Sequence, residues 1–201
     1  MATAAKTLTA GSAEERILVS ARHEIEKRGI LGLRIMDVAR GADASLSLIY
    51  KYFNSRDGLL ARVLGDMYEE ILRQSYDAFM DKVNSRTSLT VRDIAEFLPQ
   101  INDATYRKNQ YMRLNILAAS LNNEPLRIRL EDLTKKQHAM FDEGISAIRR
   151  HMSDGSDLDS RFFHIVLATQ TMYYRELMGD TGFSREEYVD YVTKMLTCDG
   201  A

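Results

Sequence analysis

Cysteine is nearly absent from this 201-residue chain. The single thiol, Cys198, has no partner for an intrachain disulfide, which excludes a cross-linked extracellular scaffold and suits a reducing compartment. Proline occurs twice, as Pro99 and Pro125, and glycine eleven times, few enough to permit long uninterrupted helices. No apolar run approaches the roughly 20 residues that span a membrane. The opening stretch MATAAKTLTAGS is small and polar and lacks the hydrophobic core of a signal peptide. A cytoplasmic location is expected, with no membrane partner.

Enzyme signatures are missing as well. There is no Walker loop, no GxSxG elbow, no HExxH and no Glu-x-x-His pair, and the carboxylates are scattered over polar helix faces. Neither His138 nor His164 has a second ligand at a useful spacing. No catalytic residue, metal or cofactor is expected.

The net charge of −2 argues against general affinity for nucleic acid. Its distribution says more. Residues 1–60 hold nine Lys/Arg against seven Asp/Glu, and the remaining 141 residues hold 18 against 22. A mildly basic N-terminal module on an acidic body is compatible with DNA binding, because phosphate responds to the local field.

The pattern along the chain is helical throughout. Residues 1–12 read as a flexible arm. Ser12 and Glu15 make a capping box for a first helix over about 13–28, in which Ile17, Leu18, Ala21 and Ile25 recur at helical spacing and Gly29 is the stop. Short helices follow at about 34–41 and 45–52, the second capped by Ser45. A long fourth helix covers about 56–83. A fifth covers about 90–104, with Pro99 predicted to kink it. A sixth covers about 108–121, and a seventh runs from Pro125 to about 152. After the SDGSD loop come an eighth, about 157–178, and a ninth, opened by Ser184 and Glu187 and ending near 197. No stretch alternates with period two, and no repeat is visible. The fold class is therefore all-α: an N-terminal three-helix domain at 13–55, then a helical bundle at 56–201, about nine helices in all.

The second and third helices, joined by a tight turn, suit a helix-turn-helix. Such a motif needs a short second helix anchored on one side and free on the other. Ala44, Ile49 and Phe53 suit the anchored side. Ser45, Leu46, Ser47, Leu48, Tyr50 and Lys51 are left to project, with side chains fit for phosphate and base contacts.

The stretch from Arg16 to Leu60 resembles the DNA-binding module of the TetR family of regulators. RILVSARHEIEKRG is similar to its first helix and closing glycine, IMDVARGADAS to the second helix and turn, IYKYF to the end of the recognition helix, and NSRDGLL to the start of the connecting helix. The match covers about 45 residues by motif; the rest matches in outline. Three departures stand out. Arg34 replaces the usual threonine at the cap of helix two. Asp43 replaces the usual glycine of the turn, at a place where aspartate tolerates the left-handed conformation. Leu46 and Leu48 intrude where polar residues are usual, and Leu48 is expected either to meet thymine methyl groups or to pack against a neighbouring helix. The resemblance implies phosphate or base contacts for Tyr50 and Lys51 and packing for Tyr52. Arg34 and Arg56, at the starts of helices two and four, are placed to meet phosphate. Lys6 lies in the arm, which is read as a solvated tail.

The resemblance also implies a homodimer, a small-molecule effector and a double-stranded DNA operator. Its dimer interface would use the last two helices, here Phe162, Ile165, Val166, Thr169, Met172, Tyr173, Tyr188, Tyr191, Val192 and Met195. Its effector pocket would lie among helices four to eight, here Met67, Phe79, Phe97, Tyr106, Tyr111, Met112, Asn115, His138, Phe141 and Phe163. Such a site suits a small, largely hydrophobic effector, with Asn115 and His138 as polar anchors. The expected function is a sequence-specific regulator, in the family's usual mode a repressor, that binds a palindromic operator as a dimer. A second reading, prompted by the two leucines, is an α-helical ligand-binding or scaffold protein without operator binding.

Overall fold

The computed structural model describes residues 11–98, 104–153 and 185–197. Among them are eight α-helices: α1 (Ala13–Gly32), α2 (Ile35–Gly41), α3 (Leu46–Phe53), α4 (Arg56–Asn84), α5 (Val91–Phe97), α6 (Ala104–Ser120), α7 (Glu124–His151) and α8 (Arg185–Thr197). The all-helical expectation holds. The helix expected over 157–178 lies outside the described residues. The helix expected as the ninth is α8.

Local chemistry sets most of these boundaries. At the start of α1 the Ser12 amide donates to Glu15 Oε2 at 2.7 Å and the Glu15 amide to Ser12 Oγ at 3.2 Å, the reciprocal capping box. Gly29 breaks the regular run at φ 75°, a backbone that favours glycine, and one further turn follows to Gly32. The fifth helix corrects an expectation. It does not continue through a kink at Pro99 but ends at Phe97. Leu98 is extended, at φ −57° and ψ 145°, the conformation imposed on a residue that precedes proline. The sixth helix begins at Ala104, four residues before the sequence pattern suggests.

The chain divides into two compact units, one of Met1–Glu70 with Met112–Leu133 and one of Ile71–Tyr111 with Thr134–Ala201. In the first, α1, α2 and α3 pack on one another. Ile17, Ile25, Val38, Ile49 and Leu64 are fully or almost fully buried there. Arg22 Nη1 meets Glu70 Oε2 at 2.6 Å and Arg62 Nη1 meets Glu14 Oε1 at 3.4 Å, so ion pairs tie α1 to α4. The hydrogen bond that Arg22 donates to Glu70 raises the pKa of its guanidinium above the ordinary value. Asn123 starts α7: its Oδ1 accepts from the Leu126 amide at 2.9 Å, while its Nδ2 donates to the Asp57 carbonyl at 3.1 Å.

The second unit has its own core. Val83, Leu89, Ile94, Ala95, Leu98, Ile145, Ile148, Tyr188, Val189 and Val192 form one buried cluster. Helix α5 packs on α8, and Arg92 Nη1 reaches Asp190 Oδ1 at 2.8 Å across that contact. Leu89 forms an isolated parallel bridge with Met152: its amide donates to the His151 carbonyl at 2.8 Å, and its carbonyl accepts from the Ser153 amide at 3.1 Å. No described helix is long and apolar enough to cross a membrane.

Candidate nucleic-acid interface

The helix-turn-helix is built by short-range bonds. Helix α2 ends at Gly41, and the chain turns through Ala42, Asp43 and Ala44. Asp43 takes φ 48°, so the left-handed turn survives without glycine. The Ala44 amide closes the turn on the Ala39 carbonyl at 3.0 Å. From α1, Arg16 Nε donates to the Ala42 carbonyl at 3.1 Å, and Ser20 Oγ donates to the Val38 carbonyl at 2.9 Å. Two side chains of the first helix therefore hold the end of the second. The sequence reading missed both; their only signal was that a polar Ser20 interrupts the buried stripe of α1.

Ser45 caps α3, its Oγ accepting from the Leu48 amide at 3.2 Å and pairing with Ser47 Oγ at 2.9 Å. Ile49 and Phe53 are buried and Ala44 is half-buried, as a rigid anchor requires. Ser45, Ser47 and Lys51 are exposed. Leu46 and Tyr50 are 41% and 45% exposed, and Leu48 is half-buried. Tyr52 is also largely exposed, with its ring tilted against Phe53 at 6.2 Å between centroids. The helix ends at Asn54, at φ 62°, and Ser55 Oγ then accepts from the Gly58 amide at 3.0 Å to open α4.

The electrostatics of this surface are arranged by pairing. Asp37, the acidic residue in the first turn of α2, lies 2.8 Å from Arg28 Nη1 and 3.1 Å from Arg40 Nη1, so its carboxylate is compensated. Arg40 and Arg34 are exposed, and no acidic residue lies in the first turn of α3. Arg34 precedes α2 without a side-chain capping bond, and the exposed Arg56 side chain reaches the Leu33 carbonyl at 3.4 Å.

The residues expected around an effector do not fall in one unit. Met67, Met112 and Asn115 belong to the first, where Met67 is buried, Met112 half-buried and Asn115 exposed. Phe79, Phe97, Tyr106, Tyr111, His138 and Phe141 belong to the second, where Phe79, Phe97, Tyr106 and Phe141 are half-buried and Tyr111 and His138 exposed. Phe141 meets Tyr76 edge-on at 6.1 Å. Burial and the Glu143 and Asp77 charges push the Tyr76 phenol up. Of the expected dimer residues, Tyr188 and Val192 sit in the core of the second unit, and Tyr191 is exposed. The Met195 side chain, Phe162, Phe163, Ile165, Val166, Thr169, Met172 and Tyr173 lie outside what is described, as does Lys6.

A capped, anchored short helix with a free face, set by a left-handed turn on a second helix, defines a helix-turn-helix DNA-binding module. Residues 17–63 match the family model of bacterial regulatory proteins, tetR family. The N-terminal module is therefore similar to the DNA-binding domain of the TetR family of transcriptional regulators. Solved structures share its fold. A TetR-family transcriptional regulator from Rhodococcus sp. is 21% identical over 92% of this chain and 98% of its own, with a TM-score of 0.56. The multidrug binding protein EbrR, complexed with ethidium, is 19% identical over 92% of this chain and 99% of its own, with a TM-score of 0.59. A transcriptional regulator from Saccharomonospora viridis, in complex with choline, is 18% identical over 93% and 96%, with a TM-score of 0.57. No curated protein matches the chain.

Proposed function

We propose that this regulator is a repressor that binds a palindromic operator as a homodimer and is released by a small, largely hydrophobic effector. The observation that carries the reading is the division of α3: Ile49 and Phe53 are buried while Ser47, Tyr50 and Lys51 project outward. Residues 13–55 act as the reader and residues 56–201 as the effector-binding and dimerising part. One eight-residue helix reads few base pairs, so two-fold pairing at half-sites about 34–36 Å apart supplies the missing contacts. Tyr191 has the exposure that a place in the dimer interface requires. Arg34, Lys51 and Arg56 supply phosphate contacts, which orient the reader without choosing its sequence.

Two relatives of this fold are complexed with small organic molecules, ethidium and choline. That supports a small-molecule effector site in the second part of this chain, and within the second unit the half-buried Phe79, Phe97 and Phe141 are its candidates. Release then follows by population shift: the effector binds best the arrangement in which the two readers no longer match the operator. Linkage requires that the operator weaken effector binding by the same factor.

Selection of bound fragments from genomic DNA tests the reading. The expected result is one enriched palindrome, bound with an affinity that falls steeply as salt rises. A chain that enriches no fragment, or binds with no salt slope, is a scaffold or ligand-binding protein instead.

A further inference from the structure

The surface of α3 is divided among polar, half-buried and apolar side chains in a way that selects one residue at its start. Ser45 is committed to the backbone, since its Oγ accepts from the Leu48 amide at 3.2 Å and pairs with Ser47 Oγ at 2.9 Å. Leu48 is half-buried beside the anchoring Ile49. Leu46, at the first helical position, is 41% exposed, and Tyr50 is 45% exposed one turn further on. Residues at this four-residue spacing are neighbours on a helix surface, so Leu46 and Tyr50 make one apolar edge. An exposed leucine alone needs no explanation. This one occupies the N-terminal end of a reading helix, the end that reaches base edges.

We infer that Leu46 is the specificity-determining residue of this reader and that it recognises the C5-methyl group of thymine. The major groove offers a leucine one apolar target, that methyl, whereas the other base edges present donors and acceptors. A leucine against those polar edges strips them of water and returns no hydrogen bond, so the preference for thymine has a penalty side as well as an attractive one. The first turn of α3 carries no acidic residue to oppose a close approach to DNA. The inference rests on the operator-binding reading above.

The test changes the DNA rather than the protein. Each thymine of the enriched operator is replaced in turn by deoxyuridine, which removes the methyl and keeps the pairing edge. Wild-type protein is expected to lose affinity about fourfold at one thymine per half-site, and roughly fifteenfold when both half-sites are changed, the factor that burying one methyl corresponds to. Leu46→Ala is expected to bind the unmodified operator more weakly and to be indifferent to that replacement. Leu48→Ala is expected to keep the sensitivity. Wild-type indifference at every thymine overturns the inference and leaves operator binding intact. So does sensitivity that survives in Leu46→Ala, or that disappears in Leu48→Ala alone. A chain that selects no operator overturns both readings.

Discussion

Gly58 stands against the carbonyl oxygen of Phe53, so close that a Cβ at position 58 would lie 2.0 Å from it. The obstacle is backbone, which a rotamer change cannot relieve. Phe53 is the last residue of the reading helix and Gly58 lies in the first turn of α4, so this approach fixes how the reading helix passes into the long helix. Gly58→Ala is expected to destabilise the fold by about 1–3 kcal/mol, the usual range for forced overpacking. The urea midpoint measures it. Operator affinity should fall as well, since the last turn of α3 has to move; a variant as stable as wild type would mean that the approach is relaxed in solution.

Asn123 serves two elements with one side chain. Its oxygen caps α7 through the Leu126 amide, and its amide nitrogen holds the Asp57 carbonyl at the start of α4. The residue is buried, so truncation strands the Leu126 amide and removes the tie to the Asp57 carbonyl. Asn123→Ala is expected to cost about 1–3 kcal/mol. Asn123→Ser keeps a capping oxygen but not the reach to Asp57, and should fall between the two. Thermal melts of the three proteins check the order. Equal losses for Ser and Ala would remove the cap from the account.

The parts of the fold that could be read ahead are those decided within a few residues. The capping box of Ser12 and Glu15, the break at Gly29, the cap at Ser45 and the left-handed Asp43 each depend on a local bond or a local φ, and each leaves a residue-level mark, although α1 resumes after Gly29 and ends only at Gly32. The contacts of Arg16 with Ala42, of Gly58 with Phe53 and of Asn123 with Asp57 join residues brought together by packing, and spacing along the chain carries no trace of them. Helix five shows a local rule misapplied. Pro99 acts on the residue before it rather than on the helix around it, so the chain leaves the helix at Leu98. The sequence pattern puts Asn115 and His138 on apolar helix faces, yet both residues are exposed. Periodicity alone does not say which face of a helix a neighbour covers when polar residues are spread around it, as on α6.

Asp93 links acid to the stability of the second unit. The Thr90 hydroxyl donates to its carboxylate at 2.6 Å and the Thr90 amide at 2.8 Å. These bonds, the side-chain one foremost, hold the Asp93 carboxyl below the usual carboxylate range. A carboxylate with a depressed folded-state pKa adds stability above its unfolded pKa, and this is lost as pH falls through the folded value. The capping box of α5 should therefore stay intact at neutral pH and open only at acidity below the ordinary aspartate range. Carbon-detected titration of the carboxyl reads this directly. Thr90→Val removes the hydroxyl donor and should bring the Asp93 midpoint back toward the ordinary value. An unchanged midpoint would show that the hydroxyl is not its cause.

Ser20 and Gly41 test the packing of α1 on α2, on which the reading helix rests. A Cβ at position 41 would lie 2.3 Å from Ser20 Oγ, the atom that donates to the Val38 carbonyl at 2.9 Å. Gly41→Ala therefore has to turn the buried serine hydroxyl away from its acceptor, leaving the Val38 carbonyl with the Ala42 amide alone at 2.9 Å, or push the two helices apart. The expected cost is about 1–3 kcal/mol, less a partial offset because alanine is the better helix former. Ser20→Ala loses the same hydrogen bond but makes room. In the double variant the new methyl no longer meets the hydroxyl, and the bond to Val38 is lost only once. The two effects should thus be less than additive, with a coupling of roughly 0.5–3 kcal/mol, the range for residues in contact. Urea unfolding of the four proteins closes the cycle. Strict additivity would mean that the hydroxyl and the glycine do not share this space, and that something other than Ser20 sets the distance between the two helices.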